Sequence, residues 1–346
     1  MKPLTTTQVP TSIVGPIYFQ SMRGTKSSLA DTEVSAPLAT YETTLFHSVG
    51  RGAKLTRLAK TLQTTVISNK MTRSLLFEST FSHELLSVKR YIETHLEAFQ
   101  NDIVSKNSRY AKLIQADVKI VANLLFVRFA FETGDASGHN MSTFASDAIA
   151  DNILSAFPQL KYVSVSGNYC TDKKVSAVNS VLGRGKEVIA EIMISRSLVK
   201  DVLRTTPEAL VDLNIKKNFI GSIASGGLMS ANAHYANMLL AFYIATGQDG
   251  ANVVEGSQGI THAEVKGDDL YFSVTLPNII VGTVGHGKHA PDAIKHFEMM
   301  GCLDEHGSEK LAQIAAALVL CGELSLLAAL TNPKELTQSH TRIERK

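Results

Sequence analysis

A regular alternation of strand-like and helix-like segments between residues 75 and 165 constrains the fold more than any other feature of this 346-residue sequence. Apolar extended runs at both ends of the stretch enclose an amphipathic helix, a hairpin pattern at 112–131 and a second helix. The order β-α-β-β-α-β is that of a split βαβ unit, also called ferredoxin-like. We therefore predict a small domain at 75–165 that is inserted into a larger one. The first helix is indicated by apolar residues at intervals of three and four: Leu85, Val88, Ile92, Leu96 and Phe99.

The larger domain is predicted from the two flanking stretches, residues 11–74 and 166–346. A short strand is predicted at 14–19, and a helix at 231–246 places Asp249 just beyond its carboxyl terminus. Its most apolar segment, residues 311–330, is interrupted by polar residues, which is typical of a helix buried in protein and not of a membrane span. The predicted fold class is α+β: a large mixed α/β substrate-binding domain with an inserted ferredoxin-like cofactor-binding domain. We predict an arm at 1–10, a connecting active-site loop at 166–177 and a mobile polar tail at 331–346.

Charge and cysteine content exclude several classes of function. Lys+Arg 34 against Asp+Glu 32 gives a net charge of +2, so no basic field indicates nucleic-acid binding. Cys170, Cys302 and Cys321 are widely spaced and odd in number, which favours a reducing compartment over a disulfide framework. The first twenty residues lack the basic and apolar regions of a signal peptide. The sequence therefore predicts a cytoplasmic protein without membrane or nucleic-acid partners.

Three adjacent charges, Asp172, Lys173 and Lys174, stand in a loop after the last predicted strand of the small domain. Adjacent ammonium groups repel each other, so a buried pair needs an anionic partner or an anionic ligand. The alternative is a solvated loop tip without a function. The loop alone leaves both interpretations open.

Two glycine-containing turns follow apolar runs, at residues 134–140 and 279–288. The first leads into a helix amino terminus, where exposed backbone N–H groups and the helix dipole favour an anion such as a phosphate. Neither turn has the spacing of the dinucleotide fingerprint or of the P-loop. His286 and His289 lack a matching Cys/His pair at ligand spacing, so no metal site is predicted.

Taken together, these segments resemble the catalytic portion of the 3-hydroxy-3-methylglutaryl-CoA (HMG-CoA) reductase family. The resemblance extends from about residue 9 onward and is closer to the class that includes the eukaryotic enzymes than to the divergent bacterial class. We expect the chain to be without the membrane anchor of the eukaryotic enzymes. The matching motifs occur in the family's order at residues 37–42, 71–73, 134–136, 166–174, 232–234, 245–249, 269–277, 282–285, 322–326 and 339–340.

The resemblance implies a two-step reduction of the HMG-CoA thioester by two hydrides from NADPH, through a hemithioacetal and an aldehyde, to mevalonate and CoA. It implies four catalytic residues. Lys173 would stabilise the developing oxyanion, and Asp249 would keep that lysine charged and oriented. Glu42, expected close to Asp249 and therefore kept protonated by the like charge, would donate a proton to the carbonyl under reduction. His340 would protonate the departing thiolate.

The resemblance also implies binding residues and an assembly. We expect at least a homodimer, or a dimer of dimers, with active sites between subunits. The expected substrate-binding residues are Arg73, Ser166, Asp172, Lys174, Lys217 and Asn237. The expected cofactor-binding residues are Asp135, Ala136, Gly138 and Asn140 in the small domain, with Thr283, Val284 and Gly285 in the large one.

The sequence departs from the family pattern at the cofactor side. Ser137 and His139 replace the two methionines of the usual Asp-Ala-Met-Gly-Met-Asn motif, and His286 interrupts a glycine run. Residues 1–5 do not match the family's dimerisation segment. Two alternatives therefore stay open beside the NADPH-dependent reductase. One is the same enzyme working with NAD in the oxidative direction of mevalonate degradation, and the other is a catalytically inactive binding homologue.

Overall fold

The computed structural model describes residue 5 and residues 7–344, with side chains up to Gln338 and that of Thr341 in the last helix. Within this part of the chain the strands are β1 Thr11–Arg23, β2 Ser28–Ala39, β3 Gln63–Glu78, β4 Lys112–Val121, β5 Leu124–Glu132, β6 Lys161–Ser164, β7 Gly185–Ile194, β8 Ile260–Lys266 and β9 Asp269–Ile279.

The longer described helices are α1 Thr44–Ala59, α2 Leu85–Thr94, α3 His139–Ala156, α4 Ala177–Leu182, α5 Pro207–Leu213, α6 Tyr235–Ala245, α7 Pro291–Met300, α8 Gly307–Leu330 and α9 Glu335–Glu344. Short α-helical turns occur at Leu96–Ala98, Ser105–Asn107, Arg196–Leu198, Ser222–Ala224 and Val253–Gly256. Turns of 3-10 helix are found at Ser82–Glu84 and Gly250–Asn252, and π-helical turns at Phe99–Val104, Val199–Leu203 and Asn214–Gly221.

Strand β3 belongs to two sheets. Its first half, residues 63–70, pairs with β1 and β7 in a sheet of order β2-β1-β3-β7-β9-β8. Its second half, residues 71–78, pairs with β5 on one side and β6 on the other. The second sheet therefore has the order β6-β3-β5-β4, with every neighbouring pair antiparallel. One continuous strand thus connects the two parts of the molecule.

The second sheet has its own apolar core. Alternate residues of β3 and β5, such as Phe77 and Phe129, pack with the apolar faces of α2 and α3. Leu85, Val88 and Ile92 of the predicted helical stripe are fully buried there, as the three- and four-residue spacing predicts. The predicted hairpin is confirmed as β4 and β5. The predicted strand at 74–79 is the end of the longer β3.

Helix α8 forms the centre of the larger core. It is long and apolar enough to cross a membrane by length and composition, yet 94% of its most apolar window is buried inside the protein. Helix α1 packs on it backbone to backbone, because a Cβ added at Gly52 would lie 2.4 Å from the carbonyl oxygen of Cys321. The sequence prediction of a helix buried in protein is confirmed for this segment.

Two elements were not predicted from the sequence. Strand β2 lies at the sheet edge, where its polar first half is exposed and Pro37 is tolerated. It pairs along its length with β1, which extends well beyond the short strand predicted at 14–19. The predicted polar tail contains helix α9, whose residue Glu335 forms an ion pair of 2.9 Å with Arg51 of α1. Half of the predicted arm, residues 1–4 and 6, lies outside the described residues.

Candidate active site

The predicted charged loop places Lys173 against Asp249. The Lys173 Nζ lies 2.6 Å from Asp249 Oδ2, and the lysine backbone has a left-handed φ of 55°. The hydrogen bond to Asp249 raises the pKa of Lys173, so its ammonium form is stabilised. Burial raises the pKa of Asp249, but the hydrogen bonds from Lys173 and from the Ala251 amide outweigh burial and lower it. The pair is therefore charged near neutral pH.

The position of Asp249 differs from the sequence expectation. The sequence places this carboxylate at a helix carboxyl terminus, which is unfavourable for an anion. Helix α6 ends at Ala245, and Asp249 instead caps the 3-10 turn Gly250–Asn252. Its Oδ1 accepts a hydrogen bond of 3.0 Å from the Ala251 amide. The carboxylate is therefore at a helical amino terminus, where its charge is favoured.

A buried charge network holds the Lys173 loop in place. The Arg184 Nη2 lies 2.7 Å from Asp172 Oδ1, and its Nε lies 3.6 Å from Glu255 Oε1. The side chains of Arg184 and Glu255 are both fully buried. The same Glu255 oxygen accepts hydrogen bonds from the Lys173 amide at 3.1 Å and from Asn252 Nδ2 at 2.9 Å. One buried carboxylate thus binds Lys173 directly and Asp249 indirectly, through Asn252, whose amide donates to the Asp249 carbonyl oxygen at 3.1 Å.

Sequence reasoning did not identify Arg184 or Glu255 as part of the site. Burial raises the pKa of Glu255, and the neighbouring guanidinium counteracts this shift. For Asp172 the balance is reversed: burial raises its pKa, but Arg184 and other cations outweigh burial and lower it. Gly183 and Gly185, on either side of Arg184, were the one local sequence feature that could have indicated a tightly packed position. A Cβ at Gly185 would lie 2.5 Å from the Ile279 carbonyl oxygen, so this strand start packs tightly against β9.

The Lys173–Asp249 pair opens on a cavity of about 670 Å³, called here the lysine cavity. Both predicted glycine-containing turns form part of its wall. Ala136 and Val284 form an isolated parallel β-bridge, and the Thr283 amide donates to the Asp135 carbonyl oxygen at 2.9 Å. A Cβ at Gly282 would lie 2.4 Å from the backbone nitrogen of Ser137, so the two turns touch through their backbones. The fold therefore joins two motifs that are far apart in sequence.

The amino terminus of α3 faces the lysine cavity. Gly138 is its N-cap, with a φ of 89° and no side-chain hydrogen bond to the first turn. Gly138, His139 and Asn140 all line the cavity. The first backbone N–H groups of a helix lack intrahelical partners and carry partial positive charge, so this end of the cavity suits an anionic group.

The carboxylate of Asp135 binds two backbone amides, and its predicted contact with the cofactor stays a prediction. Its two oxygens accept hydrogen bonds from the Ser308 amide at 2.9 Å and the His306 amide at 3.1 Å, at the start of α8. It lines a separate cavity on that side of the turn. Thr283 is 9% exposed and is not among the residues lining the lysine cavity. Both residues thus shape the two turns mainly through their backbone contacts.

Lys288 is another cation on the wall of the lysine cavity that the sequence did not indicate. Its Nζ donates to the Gly247 carbonyl oxygen at 2.5 Å, two residues before Asp249. Burial lowers the pKa of Lys288 to about 8, although Asp249 counteracts this shift. Gly247 in turn contacts Gly287, since a Cβ at Gly247 would lie 2.5 Å from the Gly287 carbonyl oxygen. Lys288 therefore fixes the turn that presents Asp249.

Glu42 lies in a second cavity of about 510 Å³, called here the glutamate cavity. It is exposed just before α1, and its Oε2 accepts a hydrogen bond of 3.0 Å from Asn237 Nδ2. His234 Nδ1 lies 3.5 Å from the same amide nitrogen. The lining residues of the glutamate cavity and the lysine cavity do not overlap. Glu42 and Asp249 therefore line different cavities of one chain, and their expected proximity stays a prediction.

The remaining predicted residues are distributed between these regions. Arg73 lines the lysine cavity with its Nη1 3.7 Å from Asp172, and its buried Nε has no hydrogen-bond partner in the described part of the chain. Ser166 and Lys174 are exposed on the Lys173 loop. Lys217 is half-buried in a π-helical turn and lines neither cavity. The side chain of His340 lies outside the described residues.

Among the described residues, no three His, Cys, Asp or Glu side chains converge in a way that could hold a metal ion. His286 lines the lysine cavity, whereas His289 does not. The His296 Nδ1 is 2.7 Å from the Ala245 carbonyl oxygen, which accounts for its half-buried position on α7.

Comparison with known proteins identifies the relatives of this chain. The sequence profile of the hydroxymethylglutaryl-coenzyme A reductase family matches residues 2–345. The 3-hydroxy-3-methylglutaryl-coenzyme A reductase of Pyrococcus horikoshii is 43% identical over 344 residues, which cover 98% of this chain and 81% of the relative. The reductase 2 of Dictyostelium discoideum is 41% identical over 347 residues, covering 98% of this chain and 64% of the relative.

A solved structure has the same fold at much lower identity. The class II 3-hydroxy-3-methylglutaryl-CoA reductase of Streptococcus pneumoniae, determined bound to NADPH in open conformations, superposes with a TM-score of 0.76. It is 18% identical to this chain, and the match covers 95% of this chain and 86% of that one. The mixed α/β architecture is thus shared with that enzyme.

Proposed function

Because the chain belongs to the hydroxymethylglutaryl-coenzyme A reductase family, we propose that it reduces HMG-CoA to mevalonate and CoA with two hydrides from NADPH. The observation that carries this proposal is the Lys173–Asp249 ion pair of 2.6 Å on the wall of the lysine cavity. The same cavity contains a helix amino terminus without a side-chain cap. A fixed cation and an anion-binding helix end in one cavity fit a carbonyl reduction that uses a phosphorylated cofactor.

Lys173 acts on the carbonyl oxygen of the substrate in this proposal. Negative charge accumulates on that oxygen as hydride reaches the carbonyl carbon, and a preoriented ammonium stabilises it. Asp249 holds the ammonium in place, and Glu255 fixes the lysine backbone through the 3.1 Å hydrogen bond. Because these contacts exist before substrate binds, little reorganisation is needed in the transition state.

NADPH, when bound, supplies the two hydrides, and the lysine cavity contains groups that fit it. The free N–H groups at the start of α3 would hold a phosphate, together with Ala136, Gly138 and Asn140. Val284 and Gly285 would form the other wall. Asp135 and Thr283 would support these turns through their backbone hydrogen bond. The choice of NADPH over NADH remains a proposal.

Substrate recognition is assigned to the groups around the Lys173 loop. Arg73, with its unpartnered buried Nε, would clamp the terminal carboxylate of the hydroxymethylglutaryl group beside Asp172. Ser166 and Lys174 are exposed on the same loop and would complete this contact. Buried guanidinium groups without a full set of partners are costly, so a bound carboxylate would stabilise this one.

We propose that a second copy of the chain supplies the rest of the active site. Glu42 and Asn237 are in the glutamate cavity, away from Lys173 in the same chain. A homodimer, or a dimer of dimers, could bring the glutamate cavity of one copy against the lysine cavity of another. Lys217, half-buried in a π-helical turn, would then contact substrate from the same side as Asn237. Helix α9, which lines the glutamate cavity, would bring His340 close enough to protonate the thiolate.

The domain assignment follows the two apolar cores. We propose that residues 75–165 form an inserted ferredoxin-like domain for NADP binding, supported by the sheet order β6-β3-β5-β4 and its separate core. Residues 11–74 and 166–346 would form the large domain for the CoA substrate. The segment 166–177, which connects the small domain to the large one, then contains Lys173. A cytoplasmic location is also proposed, because all three cysteines are buried free thiols.

The proposal is tested by following NADPH oxidation and thiol release with HMG-CoA as substrate. We expect oxidation of two NADPH for each CoA released, and a slower rate with NADH. A strong preference for NADH and for mevalonate oxidation would favour the degradative enzyme. Folded protein that binds CoA thioesters without turnover in either direction would leave only the inactive binding homologue.

A further inference from the structure

His139 occupies a position between three segments of the proposed active site. It is the first residue of α3 and lines the lysine cavity, with 20% of its side chain exposed. Its Nε2 lies 3.3 Å from Asn252 Nδ2 and 3.6 Å from Asp172 Oδ1. Asn252 ends the 3-10 turn that Asp249 caps, and Asp172 immediately precedes Lys173. One imidazole nitrogen therefore contacts a neighbour of each member of the catalytic pair.

The contacts indicate a neutral imidazole that accepts a hydrogen bond. Asn252 Nδ2 donates one hydrogen to Glu255 Oε1 at 2.9 Å, which leaves its second hydrogen for His139 Nε2. Burial, followed by the charge of Arg184, lowers the pKa of His139 to about 4, and Asp172 only partly counteracts these effects. The 3.6 Å distance to Asp172 is too long for a strong hydrogen bond. The ring is therefore an acceptor from Asn252 at neutral pH and not an ion-pair partner.

We propose that His139 is a positioning residue that couples the cofactor-binding turn to the Lys173–Asp249 pair. The chain of contacts runs from His139 to Asn252, then to Glu255 Oε1, and from there to the Lys173 amide. Any shift of the α3 amino terminus on cofactor binding is transmitted through hydrogen bonds to the lysine that acts on the carbonyl. This inference rests on the proposed function, because it assumes that the turn binds the cofactor.

The proposed coupling depends on a histidine that departs from the usual family motif. The family motif to which residues 134–140 are similar has methionine at this position, and a thioether is only a weak hydrogen-bond acceptor. A methionine could fill the same space beside Asn252, but it would leave the second hydrogen of that buried amide poorly satisfied. A packing role and a hydrogen-bonding role for His139 therefore make different predictions.

Three substitutions separate these roles. His139→Met keeps the apolar volume and removes the strong acceptor. His139→Gln places an amide oxygen near the position of Nε2, whereas His139→Asn reaches only as far as Nδ1. We expect His139→Met and His139→Asn to lower kcat about tenfold, which corresponds to the loss of one hydrogen bond. His139→Gln should recover most of kcat, and KM for HMG-CoA should stay within about twofold in all three variants.

A second measurement does not depend on turnover. Nitrogen NMR of the imidazoles, assigned by the signal lost in His139→Gln, should show His139 neutral at pH 7 with its proton on Nδ1. Calorimetric binding of NADPH to the same variants measures the cofactor site separately. If the wild-type protein binds NADPH but does not reduce HMG-CoA, the proposed function fails while the imidazole state is still determined.

The coupling is overturned by any of three results. A protonated His139 at pH 7 would make the ring an ion-pair partner of Asp172. Equal kcat values for the Met and Gln variants would leave only a packing role. A loss confined to KM for NADPH, with kcat unchanged, would make His139 a simple cofactor contact without any link to Lys173.

Discussion

The lysine cavity and the glutamate cavity differ in how firmly their charged groups are held. Lys173 is bonded to Asp249, and its loop is attached to the fully buried Arg184 and Glu255. Glu42 is exposed, and the one described hydrogen bond of its side chain is accepted from Asn237 Nδ2. One chain therefore supplies both the exposed Lys173–Asp249 pair and the buried charges that support it. The half that would donate protons is left open at the surface, where a second copy and helix α9 can reach it.

The largest effect is expected from breaking the buried support of the lysine cavity. Arg184→Met leaves Asp172 and Glu255 without their buried cation, which should lower the free energy of unfolding by about 3–5 kcal/mol. The matched control is Arg196→Met, which removes an exposed ion pair with Glu208 and should cost less than about 1 kcal/mol. Urea denaturation measures both values. Equal losses would mean that the lysine cavity is no more rigidly built than the surface.

Removing the cation itself should affect catalysis and not folding. We expect Lys173→Ala to lower kcat by about 10²–10³-fold, because the developing oxyanion loses its fixed positive charge. The dissociation constant of CoA, measured by calorimetry, should remain within about threefold of wild type, which is less than the loss of one hydrogen bond would cause. Lys161→Ala, which removes an exposed lysine paired with Glu78, is the control and should leave kcat unchanged. Retained reduction by Lys173→Ala would refute the assigned role.

The free energy of unfolding should depend on pH because His139, on the wall of the lysine cavity, is largely buried. Its pKa is about 4 in the folded protein against ~6.5 in the unfolded chain. The unfolded state therefore binds more protons between these values, so stability is full above pH ~6.5 and falls as the pH approaches 4. Burial, followed by the charge of Arg184, lowers this pKa, with smaller effects of Lys173 and Arg73 in the same direction and of Asp172 in the opposite one. We therefore expect a contribution of about 3 kcal/mol.

This contribution is isolated by comparing wild type with His139→Met. Denaturation at several pH values should give a shallower decline for the variant between pH ~6.5 and 4, because the other titrating groups are common to both proteins. Parallel curves for the two proteins would mean that His139 titrates normally and is not held neutral.

A smaller effect is expected on the side of the glutamate cavity. Asn237→Ala removes the 3.0 Å hydrogen bond to Glu42 Oε2 and should lower kcat about tenfold, since the proton donor loses one orienting contact. Asn237→Asp is a sharper variant, because it places a second carboxylate beside Glu42 and should lower kcat further. An unchanged kcat in Asn237→Ala would show that Glu42 is oriented by other groups, including those of a second copy.

The sequence predicted some elements of the fold and some residues of the site, and it missed others. The small sheet with its hairpin followed from periodicity, because apolar spacing records which face of an element is buried. Strand β2 did not, since an edge strand with a polar exposed half lacks that signal. Lys173 and Asp249 were identified through motif resemblance. Arg184 and Glu255 were not, because a buried ion pair depends on tertiary placement that neither residue shows locally.

Two further residues are placed in the structure in ways that the sequence motifs did not indicate, and the reason is again tertiary placement. The motif containing Asp135 indicated a cofactor contact, yet its carboxylate binds the amides at the start of α8. The motif containing Glu42 indicated proximity to Asp249, yet the two residues line different cavities in one chain. A motif records which residues occur together in order along the chain. It does not record the direction in which each side chain points. Nor does it record whether a residue acts in the active site of its own chain or in that of a second copy.

Mixing two inactive variants tests the separation of the two half-sites most directly. Glu42→Gln and Lys173→Ala homo-oligomers should each be inactive, and subunit exchange followed by mass spectrometry would establish that hybrids form. If the site is shared between two copies, each hybrid dimer carries one intact site, and an equal mixture should recover about a quarter of wild-type activity. No recovery in a mixture that contains the hybrids would place Glu42 and Lys173 of the same chain in one active site and contradict the account.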